Sequence, residues 1–135
     1  MGKRSKKIKT LGKRTRGQEP QNDILVIALF YIYAVVWFGY AVYVYYDMAV
    51  VNHNKSSADM ATIYVLVNSI AFIASGMMLG KQRKASFYFA VIVTAQNILF
   101  TLMNYTELFF LSCFIIDAVL LWLLYRLRGH YLFTP

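Results

Sequence analysis

The sequence predicts an all-α integral membrane protein with four transmembrane helices, and three observations support that prediction. Apolar residues make up 59% of the 135 residues and charged residues only 15%, against roughly 25% charged in an ordinary soluble domain. The apolar residues lie in long blocks, and four blocks meet the roughly 20 residues that a helix needs to cross a bilayer. The basic residues lie almost entirely outside these blocks, on one predicted side of the membrane.

The four predicted spans are separated by short polar segments. The spans cover about residues 24–46, 60–80, 85–103 and 108–125. Residues 47–59 are expected to form the one sizeable outer loop, and NYTE a tight turn between spans three and four. The first apolar stretch is longer than the roughly 7–15 residues of a signal-peptide core, so we expect it to be retained as a span.

This pattern divides the chain into three parts. Residues 1–22 form a basic cytoplasmic tail, residues 23–128 the four-helix transmembrane domain, and residues 129–135 a short C-terminal tail. Thirteen of the fourteen lysines and arginines lie in the N-terminal tail, between spans two and three, or after span four, and Lys55 alone lies on the other side. The positive-inside rule therefore predicts that both termini are cytoplasmic. We expect the plasma membrane of a prokaryote rather than an organelle membrane.

The N-terminal tail has few apolar residues with which to form a core, so we expect it to be disordered. A basic residue near anionic lipid contributes about 1 kcal/mol to membrane binding, so a surface of anionic headgroups is the expected partner of the tail. A protein partner is the alternative. The tail has no aromatic residue to stack on bases, which argues against nucleic acid. The basic residues are Lys3, Arg4, Lys6, Lys7, Lys9, Lys13, Arg14 and Arg16.

Polar side chains inside the spans are predicted to gather near mid-membrane. Asn68, Gln96 and Asp117 each lie eight residues from the outer membrane boundary of their span, which is expected near Met60, Asn104 and Phe109 respectively. Eight residues correspond to a depth of about 12 Å at 1.5 Å per residue. Small and polar residues follow helical spacing in spans two and three, as at helix contacts in lipid. We therefore expect Asn68, Gln96 or Asn97, and Asp117 to meet. Span one has no acid or amide before Asp47, so we expect it to lie outside this cluster.

Asp117 is the residue in this group with the highest free-energy cost of insertion into a membrane. A charged side chain at the centre of a membrane helix costs about 2.5–3.5 kcal/mol on insertion scales, and no lysine or arginine lies at that depth in the sequence. Three hypotheses follow: an interhelical hydrogen-bond anchor, a docking point for a polar or cationic group of a partner subunit, or a proton or cation site of a transporter.

Two further patterns predict helix packing. Gly76 and Gly80 form a GxxxG motif, which permits either a close helix crossing within the chain or a homodimer. Tyr33, Trp37 and Tyr40 lie on one face of span one, and we expect them to pack against other helices or another protein.

Catalytic and cofactor motifs are absent from the sequence. The single cysteine, Cys113, and the two histidines form no cluster with metal-ligand spacing, and there is no phosphate-binding loop or nucleophile elbow. We therefore expect no catalytic residue, metal or cofactor, and no enzymatic activity.

The segments GMMLGKQRKASFY, NYTE and LLWLLYRLRGHY resemble those of small four-span membrane proteins of bacteria and archaea. The resemblance covers about residues 24–131, and it implies a four-helix fold and no activity. The chain is also similar in size to the small multidrug-resistance exporters. Those exporters rely on an acidic residue in their first span, whereas here Asp117 lies in the fourth.

Two functions therefore remain open. The first is an accessory or assembly subunit of a larger membrane complex, whose partners are other membrane subunits. The second is a small homo-oligomeric transporter or channel that uses Asp117 as a proton or cation site.

Overall fold

The computed structural model describes the backbone of residues 20–104 and 106–133, and side chains from Asp23 onwards. The predicted disordered tail and its eight basic residues therefore lie outside the described residues, apart from the backbone of residues 20–22. The helices are α1 at Pro20–Tyr46, α2 at Lys55–Leu79, α3 at Lys84–Met103 and α4 at Leu108–Leu132. Every regular element in the described ranges is helical, and all four helices are long and apolar enough to cross a membrane. The all-α class with four candidate spans is confirmed.

The helices extend further than the apolar blocks. α1 begins at Pro20, inside the segment assigned to the tail; proline is favoured at a helix start because the first amides have no intrahelical acceptor. α4 continues past Tyr125, where the fourth span was expected to end, to Leu132. Hydropathy identifies the apolar part of a helix, which can cross the hydrocarbon core of a bilayer. The helix itself can continue into the polar region on either side.

The expected outer loop at residues 47–59 is mostly helical, which corrects that prediction. α1 runs directly into a π-helical segment at Asp47–Val51, and α2 begins at Lys55. The side chain of Asn54 accepts a hydrogen bond from the amide of Ser57 at 3.2 Å. This bond caps the first turn of α2 and starts the helix before its apolar block.

The four helices form a closed antiparallel bundle. α1 packs on α2, α2 on α3, α3 on α4, and α4 contacts α1. At one end of the bundle, His130 Nε2 of α4 lies 3.2 Å from Asp23 Oδ2 of α1. At the same end, the Tyr131 hydroxyl donates a hydrogen bond to the carbonyl of Leu79 in α2 at 3.4 Å. The first residues of α1 and the last residues of α4 therefore lie side by side.

Gly76 allows α1 and α2 to approach closely. A Cβ atom at Gly76 would lie 3.3 Å from the ring of Tyr31 and 3.5 Å from the Cβ of Phe30. Gly80 is exposed, and a Cβ there would meet only backbone of its own helix. The first glycine of the GxxxG motif thus packs within the chain.

An aromatic layer surrounds Trp37 inside the bundle. Trp37 is fully buried, and its ring centroid lies 5.9 to 6.5 Å from those of Tyr40, Phe100, Phe109 and Phe110. These residues come from α1, α3 and α4. Such contacts stabilise a bundle in lipid, where apolar burial between helices gives no net driving force and packing matters most.

The outer surface of the bundle is strongly apolar on every helix. Val35 is 71% exposed, Ile63 61%, Leu99 65% and Ile115 58%. Apolar patches of this extent are rare on soluble monomers. The surface fits a multi-pass membrane protein whose outer faces contact lipid.

Candidate functional site

The most polar part of the interior surrounds Asp117. Its side chain is 0% exposed on α4, and its Oδ2 accepts a hydrogen bond from Asn97 Nδ2 at 2.7 Å. The other carboxyl oxygen, Oδ1, is buried and has no hydrogen-bond partner among the described residues. The carboxyl group therefore has one strong hydrogen bond and one unused acceptor.

Asn97 is the centre of the arrangement. It is 1% exposed on α3, and its Nδ2 donates both to Asp117 and to the hydroxyl of Tyr33, the latter at 3.1 Å. Its Oδ1 accepts a hydrogen bond from Asn68 Nδ2 of α2 at 2.8 Å. Both amide hydrogens and the amide oxygen of Asn97 are thus engaged.

Tyr33 brings α1 into the same group. Its hydroxyl accepts the hydrogen bond from Asn97 and donates one to the carbonyl of Cys113 in α4 at 3.1 Å. We call Tyr33, Asn68, Asn97 and Asp117 the polar network; each of the four helices contributes one residue.

All four hydrogen bonds of the polar network join different helices. One of them links α1 to α3, which lie across the bundle from each other. Interhelical hydrogen bonds in membrane proteins average about 0.6 kcal/mol, so the network stabilises the bundle by about 2–3 kcal/mol. It can hold the four helices in one rotational setting.

A cavity lies at the end of the bundle where α1 ends and α2 begins. Its volume is about 310 Å³, and its walls include Tyr64, Asn104 and Glu107. Phe100 and Phe110 of the aromatic layer also line it, whereas no residue of the polar network does. Phe100 is one turn from Asn97 on α3, towards the cavity, so the aromatic layer lies between the cavity and the network.

The structure brings together three of the four residues expected at mid-membrane. Asn68, Asn97 and Asp117 are hydrogen-bonded to one another in series. Gln96 is exposed on the outside of α3 and belongs to no contact of the network. The reason is rotational, since adjacent helical residues point about 100° apart and Asn97 faces the interior.

The expectation that span one lies outside the polar cluster is wrong. That expectation rests on the lack of acids and amides in span one, whereas the polar group that α1 contributes is the hydroxyl of Tyr33. Its ring does pack, with the Phe72 centroid at 4.8 Å. A buried tyrosine hydroxyl also needs a hydrogen-bond partner, and this rule could have placed Tyr33 with the amides.

Asp117 offers no surface to another protein. Its exposure is 0%, and residues of the same chain surround it. The hypothesis that Asp117 is a docking point for a partner subunit therefore finds no support in the geometry, and the hydrogen-bond anchor fits it directly. Within the described residues, no group of three or more acidic, histidine or cysteine side chains could hold a metal ion.

Comparison with known proteins adds no relative. No family model matches the chain, and no curated protein or solved structure matches it significantly.

Proposed function

We propose that the protein is a small non-enzymatic membrane protein that acts as an accessory or assembly subunit of a larger membrane complex. The observation that carries this proposal is the position of Gln96. Its amide lies on the exposed face of α3, between Ile92 and Leu99, which are 63% and 65% exposed. No hydrogen bond joins Gln96 to another side chain in the described part of the chain.

An amide in this position needs a partner. Lipid offers no hydrogen bonds, and an amide placed in an apolar medium without one costs roughly 2–7 kcal/mol, depending on the reference state. Polar side chains in membrane helices accordingly pair across helices. The transmembrane helix of another subunit would supply the missing donor and acceptor.

The polar network explains why Gln96 cannot turn inward. The three hydrogen bonds of Asn97 set the rotation of α3. The side chain of Gln96, the preceding residue, points about 100° away from that of Asn97 around the helix axis. Rotating α3 to bury Gln96 would break all three bonds. The same rotation of α3 therefore buries Asn97 in the polar network and exposes the amide of Gln96.

The proposal also assigns both termini to the cytoplasm of a prokaryotic cell. The end of the bundle that holds Asp23 and His130 also holds the link between α2 and α3, with Lys81, Arg83 and Lys84. The positive-inside rule favours that end as the cytoplasmic one.

Purification of the tagged full-length protein from its own membrane tests the proposal. We expect a stoichiometric foreign membrane subunit in the native mass of the wild type, and loss of that subunit in Gln96→Leu. Ser112→Ala is the matched control, because Ser112 is also exposed but its hydroxyl already bonds the Leu108 carbonyl at 2.9 Å. A wild type that is monomeric, or that contains only copies of itself, would overturn the proposal.

A small homo-oligomeric transporter or channel is the second candidate. It is favoured by Asp117 Oδ1, a buried acceptor with no partner among the described residues, since intramembrane carboxyl groups often mark proton or cation sites. Asp117→Asn should then abolish proton- or cation-coupled flux in liposomes while the oligomer stays intact. Equal flux in wild type, variant and empty liposomes would exclude this candidate.

A further inference from the structure

A groove on the outside of the bundle combines an apolar lining with a basic side chain, Arg128. It lies between the first half of α3 and the last half of α4 and has a volume of about 220 Å³. Its lining is apolar apart from the Tyr125 hydroxyl and Arg128, and Arg128 lies near the end of α4, which we call the mouth of the groove. The lining residues are Phe87, Val91, Leu121, Tyr125, Arg128 and Leu132.

Arg128 is held at the mouth of this groove. Its guanidinium carbon lies 4.0 Å from the ring centroid of Tyr125, one turn earlier on α4, and such a contact with an aromatic face is attractive. Arg128 forms no ion pair with any carboxylate in the described ranges. The mouth therefore presents a positioned cation with unused hydrogen-bond donors.

The surroundings of the mouth are also basic. Phe87, on the first turn of α3, lines the groove, and the chain enters that turn through Arg83 and Lys84. Of the described carboxylates, Asp23 is the one at this end of the bundle; it is 5% exposed and lies against His130. Within the described ranges, this end of the bundle has Arg83, Lys84 and Arg128 and no exposed carboxylate.

We propose that this groove binds an anionic phospholipid, independently of the proposed function. The acyl chain lies along the apolar lining, and the phosphate accepts hydrogen bonds from the Arg128 guanidinium. Leu121 and Arg128 are seven residues apart, about 10 Å along the helix, which places the cation above the apolar slot as phosphate stands above an acyl chain. Basic pockets between transmembrane helices are suited to anionic headgroups, and planar guanidinium groups to phosphate oxygens.

Arg126 provides a matched control on the same helix. Its guanidinium lies over the ring of Trp122 at 4.9 Å, and it does not line the groove. Arg126→Ala and Arg128→Ala remove the same charge, two residues apart, and leave the basic tail unchanged. Only the second removes a cation from the groove.

Native mass spectrometry of the purified full-length protein with added phosphatidylglycerol tests the proposal. We expect Arg128→Ala to weaken binding about fivefold, as expected for one cation near anionic lipid, and Arg126→Ala to leave it within about twofold of wild type. Arg128→Lys should retain most of the binding, and Val91→Phe, which fills the slot, should weaken it.

The choice of lipid identifies the source of the phosphate. Phosphatidylcholine should bind less tightly than phosphatidylglycerol, and glycerol phosphate, which has the headgroup chemistry without the chains, should not compete. Equal effects of the two alanine variants, equal binding of the two lipids, or full competition by glycerol phosphate would each overturn the proposal. Retained helical circular dichroism identifies the variants that can be compared.

Discussion

At the residue scale, Asn97 is the side chain on which the bundle depends most. It donates to Asp117 and Tyr33 and accepts from Asn68, so it contacts one residue on each of the other helices. Removing it breaks three hydrogen bonds and leaves the carboxyl group of Asp117 without its donor. Replacing Tyr33 would break two hydrogen bonds of the polar network, and replacing Asn68 or Asp117 would break only one.

Asn97→Leu should lower the free energy of unfolding by about 2–4 kcal/mol. Three interhelical bonds at about 0.6 kcal/mol each give the lower figure, and the stranded Asp117 acceptor adds about 1–2 kcal/mol. The measurement is reversible unfolding in mixed micelles of detergent and denaturing surfactant. Gln96→Leu, the same change one residue away, should leave the unfolding free energy of the single chain almost unchanged.

Tyr33→Phe should lower the unfolding free energy by about 1 kcal/mol, because it removes two interhelical bonds and keeps the ring. Tyr40→Phe is the control, since the Tyr40 hydroxyl makes no hydrogen bond within the described residues. Equal unfolding curves for the two variants would show that the Tyr33 hydroxyl does not hold α1 in the network.

These residues also show what the sequence could predict. Asn68, Asn97 and Asp117 stand out because lipid makes every buried amide and carboxyl costly, and helical spacing puts them at similar depth. Gln96 and Asn97 differ by only about 1.5 Å in depth, so hydropathy and depth left both open. The rotation of α3 decides between them, and that rotation depends on contacts with three other helices.

At the element scale, close packing of α1 on α2 depends on Gly76. A Cβ atom there would lie 3.3 Å from the ring of Tyr31 and 3.5 Å from the Cβ of Phe30, so a large side chain would have to displace them. The sequence predicted a close crossing or a homodimer from the GxxxG motif without separating the two. Only the positions of neighbouring helices show that Gly76 faces α1 and that Gly80 is exposed.

Gly76→Leu should destabilise the folded chain by about 1–3 kcal/mol or more, as overpacking of a close contact does. Gly80→Leu should be tolerated, because Gly80 has an ordinary helical φ of −61° and no other helix meets its Cβ. Thermal unfolding in detergent compares the two. A larger loss of stability in Gly80→Leu would contradict the intrachain role of Gly76.

Helix ends were the least predictable part of the elements. Four apolar blocks were sufficient to locate α1 to α4, because the bilayer sets a minimum length. The start of α2 at Lys55 depends instead on the Asn54 side-chain cap, and the end of α4 lies beyond the apolar block. Neither hydropathy nor length reports on such local bonds.

At the scale of the whole molecule, the two ends of the bundle differ in charge. The end with the link between α2 and α3 has Lys81, Arg83 and Lys84, and the opposite end has Asp47 and Glu107 with Lys55. This asymmetry supports the proposed cytoplasmic position of both termini. The native cysteine, Cys113, is 1% exposed, which makes introduced cysteines suitable probes of orientation.

Ser56→Cys should react with a membrane-impermeant maleimide added to intact cells, and Lys81→Cys only after the membrane is permeabilised. Both positions are exposed and lie at opposite ends of α2. The wild type should remain unlabelled in intact cells, because Cys113 is buried. The reverse labelling pattern would place the termini on the outside.

The central claim is that the polar network holds the bundle together and that Gln96 carries assembly. Native masses of the wild type, Gln96→Leu and Asp117→Asn, each extracted gently from the same membrane, test it most directly. We predict that Gln96→Leu loses the foreign subunit and that Asp117→Asn, whose side-chain oxygen can still accept from Asn97, keeps it. Loss of the subunit in Asp117→Asn together with its retention in Gln96→Leu would contradict the claim.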